Sequence, residues 1–101
     1  MKSMITTFLI LLAITTLPST ALADGCTFTK TLYDKKQYKR AFKIAETHAR
    51  YGNACAKFYL GVMHYTGYGV KNANPRLGVK LIKEASRKGY EPATAYILTF
   101  E

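Results

Sequence analysis

The sequence predicts an all-α chain of five short helices, stacked as two helical hairpins and a closing helix. Three observations carry that expectation. Apolar residues recur at the three-and-four spacing of a helix face, as in Tyr38, Ala41, Phe42, Ala45 and Ala49. Glycines and an Asn-Pro pair punctuate the chain between the helical stretches, with no strand pattern in sight. Laying Gly52 on Gly89 also aligns Ala41 with Gly78, Ile44 and Ala45 with Leu81 and Ile82, Ala49 with Ser86, Ala56 with Ala93 and Leu60 with Ile97. The period, 37 residues, lies within the range of helical repeat arrays.

The first element is a leader. Lys2 precedes an apolar run from Met4 to Leu17, then Pro18 and the small-residue site Ala21-Leu22-Ala23. That is the pattern of a secretory signal peptide over residues 1–23, cleaved after Ala23. The run is broken by Thr6, Thr7, Thr15 and Thr16 and falls short of the ~20 apolar residues that a membrane span needs. What remains, residues 24–101, suits one small domain with no span after cleavage.

The opening helix carries Phe28, Leu32 and Tyr33 and is turned by Asp34 to Lys36. The next runs from about Tyr38, with Lys39, Arg40, Lys43 and Glu46 on its wet face, and Gly52 ends it in a left-handed conformation. Asn53 caps a third helix whose buried stripe is Ala56, Leu60 and Met63. The loop "TGYGVKNANP" leads to Asn74 as cap and Pro75 at the first helical position, where a missing N–H costs nothing. The fourth helix, about Pro75 to Lys88, turns Leu81, Ile82 and Ala85 inward, and Gly89 stops it. Glu91-Pro92 begins the last, Ala93 to Phe100. Small residues at Ala56 and Gly61 mark close helix crossings, while Gly67 and Gly69 turn the chain.

Cys26 and Cys55 are the only cysteines. In an exported chain, periplasmic or secreted, they predict one disulfide. Closing a loop of that length stabilises a domain by roughly 3–4 kcal/mol in the chain-entropy model. After the leader is removed, fourteen basic side chains face six acidic ones. The excess is clustered, at Lys35, Lys36, Lys39, Arg40 and Lys43 and again at Lys80, Lys83, Arg87 and Lys88. A field of that sign favours an acidic partner over a basic one. Nucleic acid is a charge-based possibility only, and an exported chain seldom meets it.

The run "AKFYLGVMHYTGYGV", followed after a helix by "LIKEASRKGYEPA", resembles the Sel-1-like repeat, a tetratricopeptide-like helical hairpin. "LYDKKQYKRAFKIAETHARYGNACAKFYLG" is similar to the hairpin that opens such proteins. Leu60-Gly61 and the later Gly67-x-Gly69-Val70 are the most specific part. The resemblance spans about residues 28–100 and implies a solenoid scaffold that mediates protein contacts. A cysteine-rich subgroup of the family binds or hydrolyses β-lactams with cysteines paired eight positions apart in each repeat. Cys26 and Cys55 do not have that spacing.

The inventory of reactive groups is thin. His48 and His64 stand 16 residues apart with no further His, Cys or carboxylate at ligand spacing. Ser86 has no base beside it, and the six carboxylates are scattered. The expectation is therefore a non-enzymatic protein with no cofactor or metal. The first function is an exported scaffold or adaptor for an envelope or secreted protein. The second is an immunity-type inhibitor of one toxin, and the third, a β-lactam hydrolase, has least behind it. Tyrosine is enriched at interfaces. Tyr59, Tyr65, Tyr68 and Tyr90 fall off the apolar stripes, and Lys57, Tyr59, His64 and Tyr65 of the middle helix are the expected partner-binding residues.

Overall fold

The computed structural model describes residues 26–100, so the leader expected at residues 1–23 lies outside them. Five helices follow in order: α1, Cys26–Asp34; α2, Tyr38–Arg50; α3, Ala54–Thr66; α4, Pro75–Arg87; and α5, Glu91–Leu98. The described residues are all helix, turn and loop, with no strand. Each helix packs on the next in sequence, and α1 also reaches across to α3. None is long and apolar enough to cross a membrane.

The caps form where short polar side chains meet free helix N–H groups. Asn53 Oδ1 accepts from the Ala56 N–H at 2.9 Å, and Asn74 Oδ1 accepts from the Leu77 N–H at 3.2 Å, with Pro75 at the start of α4. The glycines expected to be left-handed are so, Gly52 at φ +89° and Gly89 at φ +95°. Their turns share one hydrogen-bond pattern. Gly52 N–H donates to Ala49 and Asn53 N–H to His48, while Gly89 N–H donates to Ser86 and Tyr90 N–H to Ala85. These paired bonds close a Schellman turn. A third copy follows α1, where Lys36 N–H donates to Tyr33 and Gln37 N–H to Leu32. There the left-handed residue is Lys36, φ +63°, without the conformational freedom of glycine. The last helix stops at Leu98 rather than Phe100, because Thr99 and Phe100 tighten into bonds to Tyr96 and Ile97.

The core lies on both sides of α3. One cluster joins Leu32 of α1, Ala41, Ala45 and Ala49 of α2, and Ala56, Tyr59, Leu60 and Met63 of α3. The other joins Val62 to Ile82 and Ala85 of α4 and Ala93 of α5. Tyr33 and Phe58 pack against both. The alanine stripe of α2 lets that helix lie close to α3. The approach of α3 to α4 is closer still. A methyl at Gly61 would stand 2.8 Å from the Gly78 carbonyl oxygen, and one at Gly78 would stand 2.6 Å from that of Gly61. Backbone meets backbone at this crossing, and only glycine fits either side of it. Cys26 and Cys55 are at disulfide distance, their Cα atoms 5.8 Å apart, and the bond pins α1 to α3 across α2.

Candidate functional site

The four residues expected to bind a partner do not converge. Tyr59 is 8% exposed and belongs to the core, its ring 5.4 Å from that of Tyr33 and 5.2 Å from that of Phe58. The expectation that it falls off the apolar stripe is corrected here: α3 is covered on two flanks, so a second face of it is buried too. Burial pushes the Tyr59 phenol up to about 12, with Tyr90 and Asp34 adding to the shift. Lys57 is not a free cation. Its Nζ donates to Glu84 Oε2 at 3.1 Å, an ion pair from α3 to α4 whose side chains are 22% and 25% exposed. That bond, reinforced by nearby Lys80 and Arg87 against a smaller effect of burial, holds the Glu84 carboxyl below its ordinary value.

His64 faces α2, its ring edge-on to Phe42 at 5.3 Å, and its Nδ1 is buried with no hydrogen-bond partner among the described residues. Burial lowers its pKa, only partly opposed by Glu46, which favours the neutral ring. Tyr65 is the one member at the surface, and it leans on Tyr96 and Phe100 of the C-terminal end. Of the other tyrosines expected off the stripes, Tyr68 is half-exposed and stacked on Tyr38 at 4.7 Å, and half-buried Tyr90 donates its hydroxyl to Cys55 Sγ at 3.1 Å.

The charge is arranged differently from the rings. Within the first basic cluster Arg40 bonds to Gln37, and none of Lys35, Lys36, Lys39, Arg40 or Lys43 has a carboxylate within ion-pair distance among the described residues. In the second cluster Lys88 donates to the Gly52 carbonyl at 3.0 Å, tying the end of α4 to the turn after α2. No group of three His, Cys, Asp or Glu side chains capable of holding a metal occurs among the described residues.

The structure adds a groove of about 590 Å³ between the start of α2 and the loop that follows α3. Lys36, Lys39, Lys43 and Lys71 line it, with Phe42 and Val70 as apolar surface. The loop wall is fixed by contact. A methyl at Gly69, φ +81°, would stand 2.5 Å from the Tyr38 carbonyl oxygen, so the loop backbone rests directly on α2. The clustering of Lys36, Lys39 and Lys43 is visible in the chain. Lys71 is not, because only the docking of Gly69 on Tyr38 brings it there.

Compared with protein-family models, curated proteins and solved structures, the chain matches none.

Proposed function

We propose that this protein is an exported protein–protein interaction module of the Sel-1-like, tetratricopeptide-like kind, two hairpins and a closing helix, that recognises an acidic envelope or secreted protein. The observation that carries the reading is the first basic cluster: five cations along one turn and helix, with no carboxylate of the described chain committed to them. Charge that does not hold the fold together is available to steer and orient a partner. The solenoid reading is supported by the Schellman turns at Gly52 and Gly89, one repeat period apart and alike in hydrogen bonding. The same concentrated charge also favours an inhibitor of one acidic toxin, since a steered encounter suits a dedicated pair.

The test is affinity capture with the whole chain, tagged at its C-terminus and expressed in a cell that exports it. Envelope and secreted extracts are washed at low and high salt and read by mass spectrometry. N-terminal sequencing of the recovered bait should begin at Asp24, and a bait that retains Met1 would remove the export claim. One stoichiometric protein that survives high salt is expected, and its identity separates adaptor from inhibitor. Recovery of only diffuse, salt-sensitive anionic material would overturn the module reading.

A further inference from the structure

On the footing of the interaction-module reading, we propose that the groove between α2 and the loop after α3 is the docking site. Its occupant is an extended acidic segment of the partner, with carboxylates on alternate residues and an apolar side chain close to them.

The argument starts from register. Lys39 and Lys43 lie one turn apart on the exposed side of α2, so their Cα atoms are separated along the axis by about 6 Å. In an extended peptide, residues i and i+2 project from the same face about 6.6 Å apart. Two carboxylates on alternate residues therefore meet the two ammonium groups without either chain bending. Phe42 stands between the lysines in sequence, and with Val70 it gives the groove an apolar surface against which an aliphatic side chain of the segment can pack. Lys36 and Lys71 flank it, so the groove is cationic on both the helix and the loop side.

Chemistry narrows the occupant. None of the groove's lining side chains is acidic and four are lysines, which disfavours a basic peptide. A membrane surface would meet a flat basic face, whereas these lysines border a recess. A single-stranded nucleic acid would want open aromatic faces for its bases. Of the groove's rings, Tyr38 is stacked on Tyr68, which leaves Phe42 as a single ring, too few to stack successive bases. The wall is preorganised, because Gly69 on Tyr38 fixes the loop before any ligand arrives.

The test is fluorescence anisotropy with a fluorescein-labelled peptide, Gly-Asp-Ser-Asp-Ser-Leu-Gly, titrated with the purified exported protein at low salt. Saturable binding is expected. The double variant Lys39→Glu/Lys43→Glu, at exposed positions, should lose about tenfold in affinity, while Lys83→Glu/Arg87→Glu, an equal change in net charge on α4, should lose less than about twofold. An isomer with contiguous aspartates should bind at least about threefold more weakly. No binding up to about 1 mM overturns the site. Equal loss in both double variants overturns its location, and equal binding of the isomer overturns the register. Tighter binding of a single-stranded oligonucleotide or of phosphatidylglycerol vesicles, lost in the same α2 variant, overturns the choice of occupant. If wild type captures a stoichiometric protein that Lys39→Glu/Lys43→Glu captures equally well, the groove falls and the module reading stands. If wild type captures no protein, the module reading falls whatever the peptide does.

Discussion

Three single residues set conditions that a variant can expose. At Gly61 a methyl would press on the Gly78 carbonyl and on Ile82, both within the α3–α4 contact, so Gly61→Ala should destabilise the fold by about 1–3 kcal/mol in urea melts. Lys36 is the opposite case. It holds a left-handed turn that glycine fills at the other two copies, so Lys36→Gly should raise stability by up to about 1 kcal/mol, despite the greater freedom glycine has when unfolded. His64 makes the fold sensitive to acid. Its folded pKa lies below the ordinary 6.5, so the unfolded chain takes up the proton first. Stability is then full above about pH 6.5 and falls as pH drops through the folded value. Glu84, also depressed by its Lys57 partner, adds a second loss as pH falls through the carboxylate range. Urea melts across pH should show both, and His64→Phe should remove the earlier one alone.

At the scale of the helices, what was legible in the chain is what is local. Asn53 and Asn74 cap, Pro75 starts α4, and Gly52 and Gly89 close their turns, because each of these needs only neighbours a few residues away. Asn53→Ala and Asn74→Ala should each cost about 1 kcal/mol, and the double variant close to their sum, since the caps share no partner. Non-additivity in thermal melts would reveal a coupling between the helix starts that the structure does not contain. Tyr59 was misplaced for a physical reason. A single apolar stripe describes a helix covered on one side, and α3 is covered by α1 and α2 on one flank and by α4 and α5 on the other. The Lys57 ion pair is not legible in the chain, because its partner, Glu84, is 27 residues away, beyond any helical spacing. The groove was half legible: the α2 lysines form a visible cluster, while the loop that completes it depends on a backbone contact that no composition records.

Across the whole molecule, the bond between Cys26 and Cys55 joins α1 to α3 around the basic helix. Reduction should lower the melting temperature by about 20 °C, the shift expected for about 3–4 kcal/mol in a domain this small. A melt unmoved after verified reduction would show that packing against α2 and α3 is enough to retain α1. The same covalent ring has a bearing on proteolysis. Lys35, Lys36, Lys39, Arg40, Lys43 and Arg50 all lie between the two cysteines, so many of the chain's cleavage points for a trypsin-like protease fall within the ring. A single cut there severs the backbone but releases nothing. The product is one water heavier, runs whole on a non-reducing gel and separates into two pieces only with a reductant. A first proteolytic hit is thereby converted from destruction into a nick that the folded halves can outlast.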